Sequence, residues 1–90
     1  MNTFVFSYPQ LQRGAFGTYV KIMQHLLYVR GQALPYYGCD GDFGAETTAA
    51  LKRAQQAAGL EQDGVCGIKT WSYLLTGEVK KIESDDSRED

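Results

Sequence analysis

The chain is short of the residues that most small functional sites are made from. In ninety residues there are two cysteines, two prolines, one tryptophan and one histidine. With no Cys-x-x-Cys pair and only His25 beside it, nothing seeds a zinc site, and neither metal nor cofactor is expected. A Cys/His pair is the one covalent nucleophile the composition allows, and a lone histidine beside an apolar helical stripe is more often a boundary residue than a base, so the chain is not expected to be an enzyme. No run of apolar residues approaches the roughly 18 of a membrane helix. Met1-Asn2-Thr3-Phe4-Val5-Phe6 has neither the basic start nor the long apolar stretch of a secretory signal. Basic excess is missing too. The net charge is -2, made of a body near +1 up to Gly77 and an end of -3 from Glu78 to Asp90. No clustered basic footprint for nucleic acid results, and residues 78–90 read as a solvated acidic tail.

What is present argues for one small globular domain. Hydrophobic residues make up 43% and charged residues 22%, enough apolar surface to offset the entropy of ordering. Ninety residues is one domain by length, with a core too small for a deep catalytic pocket.

The sequence also repeats itself. Gly14-Ala15-Phe16-Gly17, Gly41-Asp42-Phe43-Gly44 and Gly64-Val65-Cys66-Gly67 are each followed three residues later by Val20, Thr47 or Thr70. The second and third copies agree further, as Asp-Gly-x-x-Gly-x-x-Thr-x-x-x-Leu from Asp40 to Leu51 and from Asp63 to Leu74. After each copy the apolar residues fall at helical spacing: Val20, Met23 and Leu27 flanked by Tyr19, Ile22 and Leu26; Thr47, Ala50, Leu51, Ala54 and Ala58; Ile68, Trp71, Leu74 and Leu75. The pattern predicts an all-α module with helices over about 17–31, 45–58 and 68–76. Gly59 and Gly77 stand where helix C-termini favour a left-handed residue. Phe4, Phe6 and Tyr8 alternate before Pro9, so residues 1–10 are expected to pack as an extended strap on a domain over 11–77.

The loops before the second and third helices carry the candidate site. Gly14, Gly17, Gly41, Gly44, Gly64 and Gly67 read as turn glycines supplying positive φ, and Asp40 and Asp63 as carboxylates that accept backbone N–H groups in Asx turns. Direct ligand contact by Asp40 and Asp63 stays open, and Asp42, outside the shared pattern, is freer to face a ligand. A calcium loop is excluded by the missing spaced oxygen ligands and closing Glu. Connections long enough to run back along the helices allow both Asp-Gly loops to lie at the same end. Tyr36 and Tyr37, beside Pro35, then offer amphipathic rings to a sugar or a methyl-rich peptide, or else cover the alanine-rich second helix. Trp71 reads as core or ligand contact, and Phe16 and Phe43 as equivalent core plugs. Cys39 and Cys66 border the two loops. They are either a disulfide closing about 28 residues, worth about 3 to 4 kcal/mol, or two buried thiols.

Together these residues resemble the small peptidoglycan-binding domain attached to bacterial and phage cell-wall hydrolases. The resemblance runs through Leu11-Gln12-Arg13-Gly14, Gly17, Val20, Met23-Gln24 and Leu27, the stretch Asp40 to Gly44 with Thr47, Gln55 with Gly59-Leu60, and Asp63 to Gly67 with Thr70-Trp71. It implies a three-helix fold and a non-catalytic role, holding a hydrolase in cis or in trans on peptidoglycan through a shallow groove near the loops, at the bacterial cell wall. A monomer is expected, with neither nucleic acid nor membrane as partner. Ala54 departs from the family pattern, which usually has Phe before the glutamine, so one core aromatic is missing. The alternative is a protein-interaction module, similar to pro-segments that pack on extracellular metalloproteases. A free thiol offered to a metal favours that alternative, and a disulfide opposes it.

Overall fold

The computed structural model describes residues 8–78. Phe4 and Phe6 of the expected strap, and the acidic tail beyond Glu78, lie outside the described residues. Among the described residues there are three helices and no strand: α1 (Thr18–Val29), α2 (Ala45–Ala58) and α3 (Ile68–Thr76). No helix among them is long and apolar enough to cross a membrane.

Each helix begins at the last glycine of a repeat, Gly17, Gly44 or Gly67, with no side-chain cap. The glycine carbonyl accepts the first helical N–H instead, from Lys21, Thr48 and Trp71 respectively. Gly44 and Gly67 are extended, at φ -105° and -95°, so the expectation of positive φ fails at these two positions. Gly41 and Gly64, at φ +85° and +73°, do occupy the left-handed region that makes a turn tight. Helix α1 stops two residues short of its predicted end. There Gly31 and Gln32 donate to the carbonyls of Tyr28 and Leu27, the pairing of a Schellman cap, and α2 ends the same way through Gly59 and Leu60.

The core is built on α1, which packs against both α2 and α3. Val20, Met23 and Leu27 meet Ala50, Leu51 and Ala54 from one side and Trp71 and Leu74 from the other, with Phe43 and Cys66 as plugs from the loops. Ala54 is fully buried, so the position is a core one despite its small side chain. At about 25 cal/mol per Å², alanines return little per residue, which puts much of the burial on α1 and on Trp71 and Phe43. Trp71 is 2% exposed, its indole N–H donates to the Pro9 carbonyl at 2.8 Å, and Tyr8 stacks on it at 4.6 Å. Tyr8 and Pro9 thus lie against Trp71 of α3.

Three expected core residues are not core. Phe16 is 79% exposed and Ile68 65% exposed, while Leu75 sits at the boundary. Position within the helical stripe decides this. The first residue of a helix, such as Ile68, has no preceding turn to cover it, and Phe16, unlike Phe43 and Cys66 at the same repeat position, lies outside the core cluster.

Candidate functional site

The segment 11–17 ties both Asp-Gly loops to one side of the molecule. Leu11 exchanges backbone hydrogen bonds with Cys66, Gly14 and Ala15 bond Phe43, and Gly17 donates to Gly41. Ala15 is four positions on from Leu11, at most about 13 Å of chain, so the two loops lie side by side.

Each loop is held from below by a buried glutamine. Gln24, in the middle of α1, donates through Nε2 to Asp40 Oδ1 (3.3 Å), the Asp42 carbonyl (3.1 Å) and Thr47 Oγ1 (2.9 Å), and accepts the Gly41 N–H at 2.8 Å. Gln55, in α2, repeats this on Asp63 Oδ1 (3.0 Å), the Val65 carbonyl (3.0 Å) and Thr70 Oγ1 (3.1 Å), and accepts the Gly64 N–H at 3.0 Å. In both loops the aspartate Oδ1 also accepts the N–H two residues on, from Asp42 or Val65, at 2.9 Å. This is the Asx turn the sequence predicts, and it occupies Oδ1 of Asp40 and of Asp63. The glutamines were not singled out as site-forming. A Gln inside an apolar stripe was the available signal, since Gln24 sits among Val20, Met23 and Leu27, and a buried amide must be paired.

Corresponding positions of the two repeats line two clefts. The first, about 310 Å³, is bounded by Tyr37, Asp40, Asp42, Glu46 and Thr47. The second, about 420 Å³, is bounded by Leu60, Asp63, Val65, Ile68, Lys69 and Thr70. Under the same frame the chemistry differs, for Asp42 becomes Val65, Ala45 becomes Ile68 and Glu46 becomes Lys69. The first cleft carries acidic groups alone, and the second carries charges of both signs, Glu61 and Asp63 against Lys69.

Glu46 adds a feature not foreseen from sequence. Its two carboxylate oxygens accept the backbone N–H groups of Tyr36 (2.8 Å) and Tyr37 (2.9 Å), fixing the loop that places Tyr37 at the first cleft. Tyr36 and Tyr37 are 84% and 71% exposed, so they do not cover α2. Tyr37, Asp40 and Asp42 are thus brought together. Asp63 belongs to the other cleft, and Trp71 is corrected from candidate ligand contact to core.

The disulfide is corrected as well: Cys39 and Cys66 are free thiols. Cys66 occupies the plug position that Phe43 holds in the first loop. Burial and the neighbouring Asp63 push its thiol up to about 12. Cys39 packs on the core edge and lines a third, mostly apolar cleft of about 430 Å³ with His25, Tyr28, Leu34 and Pro35. No group of three or more His, Cys, Asp or Glu side chains among the described residues is placed to hold a metal ion.

Comparison with known proteins agrees with this frame. The family described as "Putative peptidoglycan binding domain" matches residues 16–74. The N-acetylmuramoyl-L-alanine amidase CwlL of Bacillus licheniformis is 41% identical over 71 residues, 79% of this chain. The chain spans about a fifth of that amidase's length and of a second, probable amidase from the same organism. Among solved structures, the SleB N-terminal domain superposes with a TM-score of 0.72 at 37% identity, covering 81% of this chain and 97% of that one. The Burkholderia AP3 phage endolysin gives a TM-score of 0.72 at 34% identity, over 78% of this chain and 26% of the endolysin. On its repeats, its three helices and these matches, the chain belongs to the peptidoglycan-binding domain family.

Proposed function

We propose that the chain is a non-catalytic module that binds peptidoglycan through its first cleft and so holds a cell-wall hydrolase, in cis or in trans, on its substrate at the bacterial wall. The observation that carries this reading is the display of Tyr37 beside Asp40 and Asp42, with the exposed ring of Tyr36 next to it in the chain. Two exposed rings are clamped at their backbone by Glu46, and Tyr37 shares the cleft with the Asp40 carboxylate, set by Gln24, and with the carboxylate of Asp42, unbonded among the described residues. Exposed aromatic rings that are already positioned lose little freedom on binding, which lets a shallow groove hold a ligand. Peptidoglycan is a polymer, so a weak contact repeated along it still retains a protein. The amidases and the endolysin to which the chain is similar are wall-directed by name, and a module of this size fits the role of their anchor.

Sedimentation with insoluble sacculi tests the reading. The wild-type chain is expected in the pellet, and Tyr36→Ala, Tyr37→Ala and Asp42→Ala are expected to shift it toward the supernatant while keeping wild-type circular dichroism. Wild-type protein left in the supernatant across salt and pH overturns it.

The alternative, packing on an enzyme, draws on the third cleft, where the free thiol of Cys39 lies among Tyr28, Leu34 and Pro35. Failure of the sedimentation assay, with capture of a metalloprotease abolished by Cys39→Ala, is the outcome that favours it.

A further inference from the structure

The fold gives Phe16 no structural task. Its counterpart Phe43 is a core plug at 2% exposure, whereas Phe16 is 79% exposed, although its backbone bridges to Asp42. The ring borders a depression of about 400 Å³ together with Thr18, Lys21, Asp40 and Asp42. The first cleft reaches the same two aspartates from the α2 side. The Asp40-Gly41-Asp42 turn is therefore a ridge between two depressions, with an exposed aromatic ring in each: Phe16 on the α1 side and Tyr37 on the α2 side.

From this geometry we infer that one ligand spans the ridge, that it is the sugar backbone of a glycan at least two rings long, and that Phe16 is one of its contacts. The inference rests on the wall-binding reading and names the part of the polymer that is held. Three arguments favour sugar over peptide. Aromatic rings present flat apolar faces that match the C–H faces of pyranose rings. Carboxylates without internal partners accept hydroxyl and amide hydrogens, and the Asp42 carboxylate makes no hydrogen bond or ion pair among the described residues. Charge gives the third. Asp40, Asp42 and Glu46 face the ridge against one Lys21, so a stem peptide bearing free carboxylates is repelled where a neutral N-acetylated sugar is not. Each depression alone is at the small end of ligand sites, so binding draws on both and grows with chain length.

The test is a titration of the full chain with N-acetylglucosamine monomer, dimer and tetramer, run beside sacculus sedimentation. Tetramer binding is expected to exceed monomer binding by about tenfold, and Phe16→Ala to weaken the tetramer by about fivefold or more while Phe16→Tyr retains it. Phe16 is a surface position, so the melting temperature of Phe16→Ala is expected to match wild type. Sedimentation with sacculi but no oligosaccharide binding, or Phe16→Ala equal to wild type on the tetramer, overturns the glycan inference and leaves the wall reading standing. Oligosaccharide binding without sedimentation does the reverse, and loss of both removes both.

Discussion

The two Asp-Gly loops are the same structure with different chemistry. Gln24 and Gln55 make matching sets of hydrogen bonds to Asp40 and Asp63, Gly41 and Gly64, and Thr47 and Thr70. Apart from the plug, where Cys66 stands for Phe43, what points inward or along the backbone of the two loops is shared. What points outward is not, since Asp42, Ala45 and Glu46 stand where Val65, Ile68 and Lys69 stand in the second loop. A repeat preserved in its supports and altered in its lining separates the residues that make the fold from those free to choose a ligand.

The sharpest way to test the shared part is to remove the latches. Gln24→Ala and Gln55→Ala each leave a buried glycine N–H without its acceptor and open a cavity, and Gln55→Ala also strips the Val65 carbonyl and the Thr70 hydroxyl of their donor, whereas the Thr47 hydroxyl still donates to the Asp42 carbonyl at 3.4 Å; the expected loss is about 3 to 5 kcal/mol. Against a total of about 5 to 10 kcal/mol for a domain of this size, either variant is near the edge of folding. Urea denaturation should find the two losses equal within about 1 kcal/mol; a wider gap means that one loop is not supported as its hydrogen bonds imply.

The plug position gives the next effect. Cys66 is buried where the first loop has Phe43, and its thiol is raised from 9.0 to about 12 by desolvation first and Asp63 second. The folded state holds this proton more tightly than the unfolded one. Its contribution is therefore intact below about pH 9 and is lost as pH rises toward about 12. By about pH 11 the chain is expected to have lost about 3 kcal/mol through this group, and Cys66→Ala should flatten that part of the denaturation profile. Thiol labelling of the folded chain should reach Cys39 first.

Much of this frame was legible in the sequence. The three helices, their glycine starts and the Asx turns followed from apolar spacing and from Asp-Gly at a fixed offset. The latches did not, because Gln24 lies 16 residues before its aspartate and Gln55 only 8 before its own, so no fixed spacing links them. Phe16 was misread because the repeat equates it with Phe43, yet only Phe43 has a helix pair to fill. Glu46 was missed since a carboxylate in the first turn of a helix is already explained by the dipole. The thiols stayed ambiguous because proximity of two loops does not orient two side chains toward each other.

Backbone strain ranks the turns themselves. A methyl group at Gly64 comes 3.3 Å from Thr48 Cγ2 and 3.2 Å from Lys52 Cε, whereas at Gly41 its nearest neighbour is the Gly17 carbonyl oxygen at 3.5 Å. Both positions also have positive φ, which alone is unfavourable for alanine by about 1 to 2 kcal/mol. Thermal melts are expected to show Gly64→Ala as the more damaging of the two, and equal melts would mean that the Lys52 and Thr48 side chains move aside freely.

The smallest expected effect bears most on function, because it asks whether the lining and not the frame selects the ligand. Glu46→Ala frees the backbone N–H groups of Tyr36 and Tyr37, and Lys69→Ala is the matching change in the second loop, where Lys69 makes no hydrogen bond or ion pair among the described residues. The first should lower stability by about 1 kcal/mol, since its hydrogen bonds are charge-assisted but exposed, and the second by less than about 0.5 kcal/mol. On sacculi the two should diverge further, with Glu46→Ala released because its tyrosines are no longer held and Lys69→Ala retained. If Lys69→Ala is the variant that lets go, the second cleft is the binding surface, and the tyrosine ledge has a different partner.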